Sequence, residues 1–123
     1  MSRSFVIHIH SGYGPTHHDL MLQEEDALAT WQLATSPEGM LPGQTLPARP
    51  LPDHRSAYLS YEGPVSGGRG RVDRLDGGQY ELISRNPSRW EFRLEGRRLR
   101  GRYELNRGDD PSQPDQWTLR RIE

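Results

Sequence analysis

Trp90-Glu91-Phe92-Arg93-Leu94-Glu95 decides the fold class. Its apolar side chains fall on one face and its charges on the other, the period-two pattern of a half-buried antiparallel strand. The same texture recurs on both sides. Arg98–Leu105 and Gln116–Ile122 read as strands downstream, and Gly70–Leu75, Gln79–Ser84 and Ala57–Tyr61 upstream. Phe5–His10, His17–Leu22 and Ala27–Ala34 bring the candidate strands to nine. Asp76-Gly77-Gly78 and Glu95-Gly96-Arg97 read as hairpin turns. Residues 36–53 hold five prolines, which argues against a regular helix or an internal strand. They predict a long surface loop with at most one short helical turn. The expectation is a mainly β protein: a compact antiparallel β-barrel, closed so that no strand edge is left open, with a long proline-rich loop and little helix. One domain over residues 1–123 is expected.

Composition narrows the chemistry. With 32% hydrophobic and 27% charged residues the core is modest. The chain has no cysteine, which excludes disulfides, thiolate metal sites, Fe–S clusters and cysteine nucleophiles. No apolar run approaches the roughly 18 residues of a membrane helix. The opening Met-Ser-Arg-Ser-Phe-Val-Ile-His lacks the apolar stretch of a signal peptide. A cytoplasmic protein with no membrane partner is therefore expected. The net charge of −1 hides an asymmetry: residues 1–68 sum to −4 and residues 69–123 to +3. All sixteen basic residues are arginine. Codon bias explains that as simply as function does, although a planar guanidinium fork also suits phosphate.

Four of the five histidines lie within eleven residues: His8, His10, His17 and His18, with Asp19 next. Strand parity puts His8 and His10 on one face of the first segment. It puts His17, Asp19 and Met21 together on the second, with His18, Leu20 and Leu22 opposite. If the segments pair, His10 sits opposite or diagonal to His17 and Asp19. Two imidazoles and a carboxylate suit a divalent ion such as Mn²⁺, Fe²⁺ or Zn²⁺ and leave coordination positions open. A solvated polar hairpin, or a His–Asp hydrogen bond without metal, is the competing reading. His54 closes the proline-rich stretch, with Tyr58 four residues on. It reads as an ordinary surface histidine or as a group that meets a phosphoryl oxygen or a leaving group.

Taken in order, these blocks resemble the 3′-phosphoesterase domain of bacterial DNA ligase D. Phe5-Val6-Ile7-His8-Ile9-His10 is similar to that family's opening strand, and His17-His18-Asp19-Leu20-Met21-Leu22 to its H-[YF]-D-[LF]-R-L segment. Leu28-Ala29-Thr30-Trp31 is similar to the next strand. Asp53-His54, Tyr58 and Tyr61-Glu62-Gly63 resemble D-H-P-x-x-Y-x-x-[FY]-E-G. The segments 94–103 and 116–119 resemble its last hairpin and final strand.

The resemblance implies a Mn²⁺-dependent phosphodiesterase and phosphomonoesterase (with Zn²⁺ an alternative ion) that trims DNA 3′ ends in repair by non-homologous end joining. A separate DNA ligase or polymerase is the implied partner. It assigns His10, His17 and Asp19 to the metal, and His54 and Tyr58 to the phosphate as catalytic residues. Met21 stands where the family has an arginine, and Thr35 where it has a lysine. Arg49 and Arg55 are the candidates to replace the missing phosphate-binding charge. A catalytically weak metal- and phosphate-binding scaffold is the alternative function. A cupin-like oxygenase site is a third reading.

Overall fold

A computed structural model describes residues 3–123. Its strands are β1 (Arg3–Ser11), β2 (His17–Glu24), β3 (Ala27–Leu33), β4 (Thr45–Arg55), β5 (Gly63–Pro64), β6 (Arg71–Asn86), β7 (Arg89–Gly96), β8 (Arg100–Arg107) and β9 (Trp117–Arg121). A 3₁₀ helix at Ser56–Leu59 is the only helical segment among the described residues. The sheet runs β1-β2-β3-β4-β9-β8-β7-β6, and β6 pairs back onto β1. Eight antiparallel strands thus close a barrel, and the two-residue β5 lies along β6 outside the closure.

The two halves of the wall are built differently. On β7 buried residues alternate, with Trp90, Phe92 and Leu94 inward. On β1, β2 and β3 burial runs through four consecutive residues: Phe5 to His8, Asp19 to Leu22 and Leu28 to Trp31. A strand buried at successive positions is covered on both faces. The inward set includes Phe5, Ile7, Leu20, Trp31, Phe92 and Leu105. Trp31 meets Trp90 edge-on at 5.2 Å between ring centroids and Trp117 at 5.9 Å. The outward set is a second, smaller apolar cluster of Val6, Met21 and Leu28, roofed by Tyr58 and Leu59 of the 3₁₀ helix.

Three sequence expectations need correction. The proline-rich stretch is not a loop throughout, because residues 45–55 form β4 inside the wall. The strand is staggered: Thr45–Ala48 pair with β9, and Ala48–Arg55 pair with β3. Pro47 is laddered only to β9 and Pro50 only to β3, while Pro52 falls in the register shift, so no proline needs an N–H on both sides. Second, Ala57–Tyr61 is not a strand. Ser56–Leu59 turns as 3₁₀, and the Ser56 hydroxyl donates to the Asp26 carbonyl in the β2–β3 turn. This single helical turn follows the proline-rich stretch instead of lying within it.

Third, Asp76-Gly77-Gly78 is not a hairpin turn. It lies within the sixteen-residue β6, where the strand passes from β1 to β7. Gly78 serves close approach: a Cβ there would lie 2.4 Å from the Glu95 carbonyl oxygen of the neighbouring strand. Asp76 is buried, and its carboxylate accepts the backbone N–H groups of Arg97, Arg98 and Leu99 at 2.8–3.1 Å. Those bonds fasten the β7–β8 turn, which forms where the sequence placed it. Burial pushes the Asp76 carboxyl up, but the N–H groups of Leu99, Gly77, Arg98 and Arg97 outweigh burial and hold it below the ordinary carboxylate range.

Candidate metal and phosphate site

The site lies on the outer face of β1, β2 and β3, beside the small cluster under the 3₁₀ helix. Register puts His10 opposite His17 and His8 opposite Asp19, so His10 and Asp19 are diagonal neighbours on one face. One ligand atom from each of His10, His17 and Asp19 lies within 4.8 Å of the others. The two imidazoles meet edge-on with centroids 4.8 Å apart.

Their outer hydrogen bonds fix which ring nitrogens face inward. His10 Nε2–H donates to the Arg69 carbonyl at 2.7 Å, since a carbonyl can only accept. Its Nδ1 is left toward Asp19 Oδ2, 4.0 Å away. His17 Nδ1–H donates to the Pro15 carbonyl at 3.2 Å and leaves Nε2 3.5 Å from Asp19 Oδ1. Asp19 is 4% exposed, and its Oδ1 has no hydrogen-bond partner.

Each carbonyl bond thus turns the ring's other nitrogen toward Asp19, so three potential metal-ligand atoms converge. Neighbouring ligand atoms on one ion with bonds of about 2.0–2.2 Å stand about 3.0–3.6 Å apart, so the triad must draw together to hold one. The backbone carbonyls behind both imidazoles are the outer support that metal-binding histidines characteristically have. Burial pushes the Asp19 carboxyl up, and the nearby His17, His54, His10 and His18 offset that only in part.

A cavity of about 290 Å³ opens over the triad, and His54 and Tyr58 both line it. His54 Nδ1–H donates to the Pro52 carbonyl at 3.1 Å, which leaves Nε2 as its free nitrogen. The Tyr58 ring stands edge-on to His8, His54 and Tyr61, at centroid distances of 6.1, 5.7 and 5.6 Å. The structure thus brings five of the sequence-derived site residues to one hollow. It does not bring the other two. Arg49 faces a different concavity beside β9, and Arg55 lines a depression with Tyr58, Tyr61 and Pro64.

The arginine among the residues that border the cavity is Arg69. Its Nε donates to the Ser66 carbonyl at 2.8 Å, and no carboxylate pairs with it among the described residues. Sequence reasoning missed it because nothing local ties residue 69 to residue 10. Its one sequence signal is the flanking glycine: a Cβ on Gly70 would lie 2.0 Å from the Ser11 carbonyl oxygen, so only glycine lets this segment dock on β1.

His8 was also missed as a site residue, although its parity with His10 was visible. It lines the cavity floor, is 1% exposed, and has an unpartnered Nε2. Burial first, then His54, lowers its pKa to about 4, so the ring is neutral at pH 7. Met21 is fully buried under Tyr58 and Leu59, and Thr35 does not line the cavity.

A comparison with curated proteins finds no match. The family model for the DNA ligase D 3′-phosphoesterase domain matches residues 8–107, a span that begins at the first cavity histidine and ends with β8. With the ordered histidines, the aspartate and the His54–Tyr58 segment gathered around one hollow, and with that match covering most of its length, the chain belongs to the DNA ligase D 3′-phosphoesterase domain family.

Proposed function

We propose that this chain is a metal-dependent phosphoesterase that processes DNA 3′ ends in repair, removing a 3′-phosphate or a 3′-terminal ribonucleotide. The observation that carries the reading is the convergence of His10 Nδ1, His17 Nε2 and the unpartnered Asp19 Oδ1 beneath a cavity lined by His54, Tyr58 and Arg69.

His10, His17 and Asp19 would hold the divalent ion, Mn²⁺ first and Zn²⁺ as a chemically acceptable substitute. When bound, such an ion polarises a phosphoryl oxygen and makes a coordinated water more acidic. The chain supplies the rest. Hydrolysis forms a P–O bond to water and breaks the P–O bond to the ester oxygen, which leaves with a proton. We assign that proton to His54 Nε2, the ring's free nitrogen, and a hydrogen bond to a phosphoryl oxygen to the Tyr58 hydroxyl. We assign to Arg69 the part of the arginine that Met21 displaces, since it is the arginine among the residues lining the cavity.

One observation favours the rival reading of a metal- and phosphate-binding scaffold: the position of the family's arginine is filled by an apolar residue sealed under the 3₁₀ helix. One experiment separates the two. Wild type, His17→Ala and His10→Ala are given a primer ending in 3′-phosphate with Mn²⁺, and phosphate release and Mn²⁺ binding are both measured. The esterase reading expects release that EDTA stops and that either substitution lowers by at least about 100-fold. Wild-type Mn²⁺ binding without release selects the scaffold. Undiminished release by His17→Ala refutes the assigned site.

A further inference from the structure

A row of polar residues leads out of the histidine cavity across the barrel's outer face. Asp19 is opposite Gln32 on β3, and Gln32 is opposite Arg49 on β4. At about 4.8 Å per strand, the Arg49 backbone lies about 10 Å from that of Asp19. That distance matches about three stacked nucleotides, or fewer in an extended strand.

The row ends in a concavity of about 790 Å³ on the outer face of β3, β4 and β9. Gln32 lines both this groove and the histidine cavity, so the two are neighbours on the same face. The groove floor is of small or short side chains, Ala34, Thr45, Pro47 and Thr118, and residues 112–117 form its far wall. Arg49 is exposed at its edge, with no carboxylate in ion-pair distance among the described residues. Asp115 lines the opposite wall and repels a phosphate there, which holds a polyanion to the β4 side.

We propose that this groove seats the DNA strand on the 5′ side of the reacting phosphoryl, with Arg49 neutralising one of its backbone phosphates. The inference rests on the phosphoesterase reading for what fills the histidine cavity. It moves Arg49 from the reacting phosphate, which its position does not reach, to an upstream one. The groove's place beside the cavity and its single free cation favour a nucleic acid strand over a peptide.

The test uses 5′-labelled single-stranded DNA of two, four and six nucleotides ending in 3′-phosphate. Binding is read by fluorescence anisotropy with no metal added, at several salt concentrations, for wild type, Arg49→Ala and Arg49→Lys. Wild-type turnover of a nucleoside 3′-phosphate with Mn²⁺ is measured in parallel. Wild-type affinity is expected to rise by about tenfold from two to six nucleotides. Arg49→Ala should remove most of that rise and reduce the slope of log affinity on log salt by about 0.7, while Arg49→Lys restores both. A wild-type affinity independent of length, or a length dependence untouched by Arg49→Ala, overturns the groove assignment even if the nucleoside 3′-phosphate is hydrolysed. An Arg49-dependent length effect with no turnover keeps the groove and removes the esterase.

Discussion

The barrel has two outer faces that share a backbone architecture and little else. Over β7, β8 and β9 the outward side chains are arginines and glutamates in ion pairs: Arg89 with Glu91 and Glu104, Arg102 with Glu91, and Arg120 with Glu104. Over β1, β2 and β3 the outward side chains are Val6, Met21 and Leu28 under a 3₁₀ roof, then His8, His10, His17 and Asp19. The first face meets water, and its charges need no cover. The second is covered, so polar groups there must find partners or be left wanting one, as Asp19 Oδ1 is. The proposed site lies where the 3₁₀ roof shields the outer face of the sheet from water.

The comparison can be broken or sharpened by measurement. The largest expected effect is inside the barrel, where Phe92 is fully buried between Tyr80 and Tyr103. Phe92→Ala should destabilise the chain by about 3–5 kcal/mol, read from the urea midpoint. If it does not, the interior is not the principal core.

Next comes Asp76→Ala, which strands three backbone N–H groups at the β7–β8 turn and should cost about 2–4 kcal/mol at pH 7. The sign with pH follows from the depressed pKa of Asp76. The unfolded chain binds this proton more readily, so the contribution is complete above the unfolded value of about 3.9 and is lost as pH falls through the folded one. The stability gap between wild type and variant should therefore narrow in acid. A gap that widens there would place the stabilisation elsewhere.

The two outer faces are compared by Met21→Ala and Arg89→Ala. The first empties part of a small buried cluster and should cost about 2 kcal/mol. The second removes a half-exposed guanidinium that pairs with both Glu91 and Glu104 and should cost no more than about 1 kcal/mol. Equal costs would erase the distinction drawn between a covered and a solvated face.

How much of this was legible follows from which signals are local. Trp90 to Glu95 alternates because one face is wet, and its strand formed as its pattern predicts. The parity of His8, His10, His17 and Asp19 needed only the pairing of neighbouring segments, and β1 and β2 provide it. Arg69 was out of reach because its carbonyl meets His10 across 59 residues. β4 was hidden because prolines were counted without knowing which edge of the strand each would face. Asp76-Gly77-Gly78 carries the composition of a turn, yet Gly78 answers to steric contact with the Glu95 backbone, which the sequence does not display.

By itself the sequence determined the β class, the faces on which histidines and carboxylate lie, and the family pattern, since each depends on spacing along one strand or between adjacent ones. Only the tertiary structure decided that β6 closes on β1, that a 3₁₀ helix roofs the outer cluster, and that Arg69 and not Arg49 or Arg55 borders the triad. Those outcomes come from contacts between segments far apart in the chain, where closure and burial select the partner and local periodicity carries no information about it.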